Sequence, residues 1–303
     1  MLNKWIAGHK YPCLIGACLL LTMIAGLAWS LSDNGSGRRF ERTNVVSALQ
    51  PPSWATQMDN AQFSMFGTDQ LGRDLFSRCI VGGTISVAVG IAAATIAVVL
   101  GTLWGAIAGF RGGKTDAVMM RVVDVLYGLP AIMLVVLITV AVSGLVEQGT
   151  ITSPPLREFI NVVALLVAIG AVSWLTVSRV IRGQVLSLRS RPFINAAKTI
   201  GVGRIRLFIH HILPSILGTI IVYATLTVPT AILSEAFLSF LGIGIREPLP
   251  SWGNLAADGL SQLNTVNSRW WLLLWPCLMI AMTLVVINYA GQHLRFKVDP
   301  KHA

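Results

Sequence analysis

Few side chains in this 303-residue sequence have the types and spacing that catalysis or metal binding requires. His210 and His211 are adjacent, but no acid or cysteine near them completes a Ser/His or metal-binding arrangement. The four cysteines are scattered, with neither a CxxC spacing nor a disulfide framework: Cys13, Cys18, Cys79 and Cys277. The sequence therefore predicts that this chain is not an enzyme and holds no metal.

Residues 108–115, Ala-Gly-Phe-Arg-Gly-Gly-Lys-Thr, match a loose phosphate-loop pattern that allows Ala at its first position. A true phosphate loop joins a buried strand to a helix in a soluble α/β domain. Here a long apolar run precedes the pattern, and no polar segment is long enough for a nucleotide-binding domain. We therefore interpret Gly112, Gly113 and Lys114 as a tight basic turn.

The segment with the most informative chemistry is 179–211, which holds seven Lys and Arg residues and no acid. It also contains apolar residues that a plain solvated loop would lack. Ser190 and Pro192 indicate a helix start. The apolar residues that follow recur at helical spacing: Phe193, Ile194, Ala197 and Ile200.

Gly201 and Gly203 interrupt this pattern, and a second short helix is predicted over residues 204–211. Ile205 and Phe208 are expected to face inward. Two short helices with basic and apolar sides suit the docking of a cytosolic protein. They suit binding to anionic lipid equally well, and composition leaves both interpretations open.

The composition of the whole chain excludes a water-soluble protein. Hydrophobic residues make up 54% of the sequence and charged residues only 12%, with a mean hydropathy of +0.70. Soluble domains carry roughly 25% charged residues. A disordered acidic tail and a nucleic-acid binder are excluded by the same numbers, since the chain has only 23 Lys and Arg residues. An integral membrane protein remains.

Six stretches contain no Asp, Glu, Lys or Arg and reach the roughly 20 residues that a spanning helix needs. Backbone groups in lipid must be bonded within the segment, and the runs lack the alternation of a β-barrel, so each run is predicted to be helical. The predicted spans are 12–31, 82–110, 125–146, 159–178, 212–234 and 270–291. The first exceeds the 7–15 apolar residues of a typical cleaved signal peptide, so we expect it to be retained.

The distribution of basic residues predicts the orientation. With residues 1–11 in the cytosol, the inside segments hold 15 Lys and Arg residues and three acids. The outside segments hold eight Lys and Arg residues and ten acids. The positive-inside rule therefore predicts that both termini are cytosolic. Residues 32–81 and 235–269 are then extracytoplasmic, while 179–211 and the tail 292–303 are cytosolic.

A second charged pattern lies just before the second span. Asp69 precedes Arg73, and Asp74 precedes Arg78, each by four residues, which is the favourable order for ion pairs on a helix. We therefore predict an amphipathic helix at the outer membrane face within residues 32–81.

Two other classes of membrane protein fit less well. Channels and secondary transporters commonly carry intramembrane carboxylates or inverted repeats. No carboxylate lies in the middle of a predicted span, Glu235 being the nearest at an outer end, and no half-to-half repeat is evident. An intramembrane enzyme would need the catalytic arrangement that is missing here. A stand-alone secondary transporter or channel remains the main alternative from another class.

The cytosolic segment resembles a signature of the permease subunits of ATP-binding-cassette (ABC) importers. That signature is Glu-Ala-Ala, three residues, Gly, nine residues, a hydrophobic or His position, one residue and Leu-Pro. This chain keeps every spacing: Asn195, Ala196, Ala197, Gly201, His211, Leu213 and Pro214. Asn195 replaces the glutamate, and its amide can form hydrogen bonds but carries no charge.

The resemblance extends over nearly the whole chain from Phe66 onward and points to the peptide-transporter branch. Its most specific segments are 67–74, 121–125, 180–188, 235–242 and 251–253. The chain is similar to the C-type permease of an oligopeptide or dipeptide importer, and its length and residues 222–225 favour the oligopeptide type. Nickel, metal chelates, glutathione and antimicrobial peptides are the other solutes that such permeases carry.

The resemblance implies a type I importer fold in the inner membrane of a bacterium. It implies a second permease subunit, an extracytoplasmic peptide-binding protein and two cytosolic ATPase subunits, which bind ATP and Mg²⁺ so that this chain needs no cofactor. The residues implied in coupling to the ATPase are Asn195, Ala196, Ala197, Gly201, Arg204, Leu213 and Pro214. Those implied in an outer gate or in contact with the binding protein are Asp69, Arg73, Asp74, Trp252 and Gly253.

Overall fold

The computed structural model describes residues 40–55, 64–148, 153–263 and 268–298, together with Ala28. These residues are helical or irregular, with a single isolated β-bridge between Thr68 and Asp74 as their only extended pairing. The prediction of an all-α protein is confirmed. Apart from Ala28, the predicted first span 12–31 lies outside the described residues.

The described residues form nine α-helices. A 3₁₀ turn, Val45–Ser47, precedes them, and a π-helical turn, Phe208–Ile212, joins the sixth to the seventh. The helices are α1 Leu75–Arg111, α2 Gly113–Tyr127, α3 Ala131–Gln148, α4 Pro154–Arg189, α5 Pro192–Thr199, α6 Arg204–Leu207, α7 Leu213–Phe240, α8 Trp252–Ser261 and α9 Trp271–Val298.

Four helical stretches are long and apolar enough to cross a membrane: Leu75–Arg111, Leu156–Arg189, Arg204–Phe240 and Trp270–Gln292. A fifth crossing is present if α2 and α3 are counted as one broken span, since the two helices meet at an angle of 85°. The remaining predicted span, 12–31, is the one that lies outside the described residues, apart from Ala28.

The third predicted span, 125–146, is corrected at its start. Val125 belongs to α2, which ends at Tyr127, and α3 begins only at Ala131. Pro130 lies at the break because its ring prevents a continuous helix, and its carbonyl accepts the first bond of α3 from Leu134 N at 3.2 Å.

The other helices run beyond the predicted spans at one or both ends. α1 begins at Leu75, where the Asp74 side chain caps it by accepting from Ser77 N at 2.9 Å. α4 continues to Arg189 and α9 to Val298. Hydropathy identifies only the part of a helix that fits lipid, whereas its ends are set by caps and breaks.

α1 lies at the centre of the bundle and packs against α4 and α7. Gly101, Gly105 and Gly109 face α4, as their four-residue spacing predicts. A Cβ on Gly101 would stand 2.6 Å from Val177 Cβ, and one on Gly105 would stand 3.0 Å from Arg182 N. The backbones of α1 and α4 therefore approach more closely than they could if these glycines carried a side chain.

Two apolar clusters hold the helices together. The first joins α1, α3, α4 and α7 and has Leu165 and Ile169 at its centre. The second joins the cytosolic ends of α1 and α4 to α5, α6 and the start of α7, around Ile181, Ile194 and Ile212. The segment between α4 and α7 is thus part of the packed bundle.

Candidate coupling surface and outer charge cluster

The segment that follows α4 folds as two short helices, as its sequence predicts. α5 begins with Pro192 in its first turn, where the missing N–H costs nothing. It ends where Ile200 N bonds Ala196 O and Val202 N bonds Ala197 O, both at 3.1 Å. Gly201 has a φ of 82°, a conformation that favours glycine, and this turn redirects the chain into α6.

α5 has an inner side that anchors it and an outer side that is free. Ile194 and Ala197 are buried in the second apolar cluster, against Ile212. The outer side exposes apolar area: Ile200 is 82% exposed and Ile205, on α6, is 76% exposed. The expectation that Ile205 faces inward is wrong, because Leu207 is the residue of α6 that is buried in the second apolar cluster, whereas Phe208 packs against that cluster.

We call a set of exposed residues in this segment the coupling face. Several large apolar side chains that are exposed in one short segment are typical of protein contact sites. The coupling face consists of Phe193, Asn195, Ala196, Ile200 and Ile205. Asn195, which stands where the family signature has glutamate, is therefore on its outer side.

The remaining predicted coupling residues lie beside this face and have other positions. Arg204 is exposed at the first position of α6. Leu213 packs at the edge of the second apolar cluster, and Pro214 lies in the first turn of α7. The predicted residues thus lie in one segment, but they divide into two groups. Some pack against the helix bundle, and the others are exposed.

Ion pairs that the sequence analysis missed join α2 to α4. Arg182 donates to both carboxylate oxygens of Asp116, at 2.5 and 2.6 Å. Arg179 donates to Asp124 at 2.8 Å, and its guanidinium lies 4.0 Å from the centre of the Tyr127 ring. α2 is therefore fixed beside the cytosolic end of α4. Segments 121–125 and 180–188 contain one member of each pair, Asp124 and Arg182, and their partners lie outside these segments.

A cluster of four charged residues, which we call the outer charge cluster, lies before α1. Asp69 Oδ2 accepts from Arg73 Nε at 2.6 Å and from Arg78 Nη1 at 2.5 Å. Glu247 Oε1 accepts from Arg73 Nη2 at 2.7 Å and from Arg78 Nη2 at 3.0 Å. Asp69, Arg73 and Arg78 are buried, and pairing offsets the cost of removing their charges from water, although Arg78 Nε has no hydrogen-bond partner among the described residues. The cluster ties the loop before α1 to the loop between α7 and α8.

The amphipathic helix predicted here is wrong for the described residues. Residues 66–73 are not helical, and α1 begins only at Leu75. The Asp69–Arg73 pair exists, but a tight loop holds it, since Asp69 Oδ1 also accepts from the backbone N of Leu71 and Arg73. Asp74 caps α1, so it does not pair with Arg78.

Trp252 and Gly253 lie inside the bundle, next to this cluster. Trp252 is buried and donates from Nε1 to Cys79 O at 2.9 Å. A Cβ on Gly253 would stand 2.8 Å from Ser239 Cβ, so α8 packs closely on α7. Both residues hold α8 against the spanning helices, and their role in an outer gate or in contact with the binding protein stays a prediction.

A second buried carboxyl group, Glu235, lies in α7 close to these residues. Its Oε1 accepts from Ser239 Oγ at 2.7 Å, and Ser239 Oγ accepts from Ile245 N at 3.0 Å. The hydroxyl groups of Ser86 and Ser251 lie nearby. Glu235 is therefore buried where α7 lies close to α1 and to the start of α8, and its Oε2 has no hydrogen-bond partner among the described residues, whereas the sequence indicated only a charge at the edge of a span.

Two carboxyl groups at the outer end respond to pH in opposite directions. Burial acts to raise the pKa of Glu247, but hydrogen bonds from Arg73 and Arg78 outweigh it, and the pKa is below its ordinary value. The pKa of Asp258 is raised, first by burial and then by the charge of Glu247. Glu247 thus stabilises the outer segment above its unfolded pKa of about 4.3, and this stabilisation is lost as pH falls through the lower folded pKa. The ionised carboxylate of Asp258 lowers the free energy of unfolding, and protonation of Asp258 at low pH removes this destabilisation.

We expect Glu247→Gln to lower the amide exchange protection of residues 66–74 at pH 7, because Arg73 and Arg78 lose an anionic partner. The difference from the unmodified protein should shrink as pH falls from the unfolded pKa of about 4.3 through the lower folded pKa, below which Glu247 is protonated in both folded and unfolded chains. The matched control is Asp258→Asn, which should leave protection unchanged or raise it at pH 7. Equal protection of the Glu247→Gln and unmodified proteins at pH 7 would contradict this role for the cluster.

An open cavity with a volume of about 570 Å³ lies where α2, α4 and α7 meet. We call its wall the hydroxyl-lined surface. No charged side chain of the described residues lines it. Its polar groups are hydroxyls, on Tyr127, Ser173, Thr176, Tyr223, Thr227 and Thr230. The surface can therefore offer hydrogen bonds but does not select for charge.

The long apolar helices define a multi-pass membrane protein. Among the described residues, no group of three or more His, Cys, Asp or Glu side chains could hold a metal ion. Residues 101–302 match the family described as "Binding-protein-dependent transport system inner membrane component". The chain belongs to this family and is a multi-pass protein of the inner membrane.

Curated relatives extend the match over most of the chain. The oligopeptide transport system permease protein OppC of Bacillus subtilis is 40% identical over 86% of this chain and 77% of its own length. OppC of Escherichia coli K12 is 44% identical over 82% of this chain and 76% of its own. The dipeptide transport system permease protein DppC of B. subtilis is 41% identical over 78% of this chain and 68% of its own length. The resemblance to the peptide branch is confirmed.

A solved structure matches the fold. One chain of the MetNI methionine ABC transporter, in an inward-facing conformation, superposes with a TM-score of 0.55 at 16% identity. The match covers 72% of this chain and 94% of that one. The described helices therefore have the fold of an ABC importer permease.

Proposed function

We propose that this chain is one of two permease subunits in an ATP-driven importer that carries oligopeptides into the cytoplasm. The observation that carries this proposal is the 40–44% identity to permeases named for oligopeptide transport. The other subunits are a second permease, two cytosolic ATPases and an extracytoplasmic peptide-binding protein. ATP and Mg²⁺ bind to the ATPases, and this chain contributes no cofactor.

The coupling face is proposed as the contact with an ATPase subunit. Its exposed apolar residues, Ile200 and Ile205, supply area that a partner can bury. Ile194 and Ala197, on the other side of α5, are packed against α4 and α7. A displacement of α5 by the closing ATPases therefore moves spanning helices, because a close-packed contact transmits a shift. ATP hydrolysis then supplies the free-energy difference between the inward- and outward-facing states.

The hydroxyl-lined surface is proposed as part of the path that the solute follows between the two permeases. Peptides share a polar backbone but differ in side-chain charge. Neutral hydroxyls on Ser173, Thr176 and Tyr223 can bond the backbone without rejecting either sign of charge. Residues 235–260, with the outer charge cluster beside them, are proposed to form the outer mouth of this path.

A dipeptide importer is the second candidate, since DppC of B. subtilis is 41% identical to this chain. The two candidates are separated by the ATPase activity of the reconstituted complex with its binding protein. We expect tri- to pentapeptides to stimulate ATP hydrolysis, and dipeptides, nickel chelates and glutathione to have little effect. Stimulation by dipeptides alone would assign the dipeptide function, and stimulation by a metal chelate alone would exclude peptides.

A further inference from the structure

A groove of about 1100 Å³ lies on the cytosolic side, between the end of α1 and the short helices α5 and α6. It differs from the hydroxyl-lined surface because it is both basic and apolar. Four of its lining side chains are cationic, and none is acidic: Arg111, Arg189, Lys198 and Arg204. The groove therefore has the charge of an anion-binding site.

Three of these cations have no acidic partner among the residues that the structure describes. The described ion pairs involve Arg73, Arg78, Arg179 and Arg182, and none involves Arg111, Lys198 or Arg204. The fourth cation, Arg189, is fixed in the wall of the groove because its Nη1 donates to Gly109 O at 2.9 Å. The unpaired cations raise the local potential, which an anion bound among them would lower.

The rest of the groove is apolar and continues toward the membrane. Ile107 and Phe110 lie in the last turns of the spanning helix α1, and Arg111 is its final residue. Ile209 lies on the opposite wall and is about half exposed in this chain. An occupant that matches this groove has an anionic group at the cytosolic surface and an apolar chain that runs along α1.

We propose that the groove binds an anionic phospholipid of the inner leaflet. Its phosphate lies among Arg111, Lys198 and Arg204, and an acyl chain covers Ile107 and Ile209. Basic pockets beside spanning helices on the cytosolic side are suited to such headgroups. An acidic segment of a soluble partner would satisfy the charge but would leave the apolar wall along α1 uncovered. The bound lipid would hold α5 and α6 against α1, independently of which solute is carried.

The test is native mass spectrometry of the importer released from nanodiscs of phosphatidylglycerol and phosphatidylcholine. We expect phosphatidylglycerol to be retained in preference, and Arg111→Gln/Lys198→Gln to weaken its retention about tenfold or more, because two attractive charges are removed. The matched control is Arg121→Gln/Arg206→Gln, which removes two exposed cytosolic charges outside the groove. It should retain phosphatidylglycerol as the unmodified protein does.

Three results would overturn the proposal. The first is equal retention of phosphatidylglycerol by the groove variant and the control. The second is displacement of the lipid by glycerol phosphate alone, which would identify a free phosphate ligand. The third is loss of the lipid when the ATPase subunits bind, which would assign the groove to that protein contact. If the double variant fails to assemble, Thr115→Glu places an acid at an exposed groove position and should weaken retention by repulsion; unchanged retention would again refute the proposal.

Discussion

Replacing Ile200 with aspartate is expected to reduce ATP-driven uptake at least about tenfold while leaving the chain inserted in the membrane. Ile200 is 82% exposed at the end of α5, so the substitution removes little packing within the chain. In the assembled importer the same side chain lies in the proposed contact with the ATPase. An unpaired charge there costs several kcal/mol when it is desolvated, which is sufficient to break the contact.

The measurement pairs uptake in proteoliposomes with retention of the ATPase subunits on the immobilised permease. Ile200→Leu is the control, because it keeps an apolar side chain at the same position and should support both. Ala197→Asp is a poorer probe, since Ala197 is buried against Ile194 and Ile212 and its replacement would disturb the fold itself. Normal uptake by Ile200→Asp at an equal level of protein would remove α5 from the coupling role.

The second large effect is expected at the contact between α1 and α4. Gly105→Leu should destabilise the protein by about 3 kcal/mol or more and sharply lower its level in the membrane. A Cβ at this position would stand 3.0 Å from Arg182 N and from Ser178 C, which are backbone atoms that cannot turn aside. The helices must therefore separate, and the packing of small residues that joins them in lipid is lost.

Thermal unfolding in detergent and the amount of protein in membranes measure this effect. Gly183→Leu is the matched control, because a Cβ at Gly183 meets nothing within 4 Å and the same side chain is introduced into α4. Both substitutions replace a poor helix former by a good one, so propensity does not separate them. If the two variants unfold at the same temperature, the close approach of α1 and α4 does not hold the bundle together.

The sequence predicted the helical class and most spans because lipid imposes a simple rule on the backbone, but it did not predict the helix ends. α4 continues from the predicted end at Ser178 to Arg189, since charged residues are tolerated once the helix leaves the apolar layer. The third span starts later than predicted because Pro130 interrupts the helix. A mean hydropathy taken over about 20 residues does not detect the effect of one proline.

In the candidate sites, features that depend on neighbouring residues in the sequence were predictable, and features that depend on distant residues were not. The two short helices after α4 follow from a Ser-Pro start and a glycine stop, which are local signals. Which side of them is buried depends on packing against α4 and α7, so the exposure of Ile205 was not predictable from spacing alone. The outer charge cluster joins Arg78 to Glu247, 169 residues apart in sequence, and no local pattern indicates that pairing.

The most direct test of the account is uptake of a labelled oligopeptide by proteoliposomes that contain this chain. One preparation holds the chain with its second permease, two ATPases and binding protein, and the other holds the chain alone. We predict accumulation only in the first, and only with Mg-ATP on the side of the coupling face. Accumulation by the chain alone, or by the full complex without ATP, would show that this protein is not the permease of an ATP-driven importer.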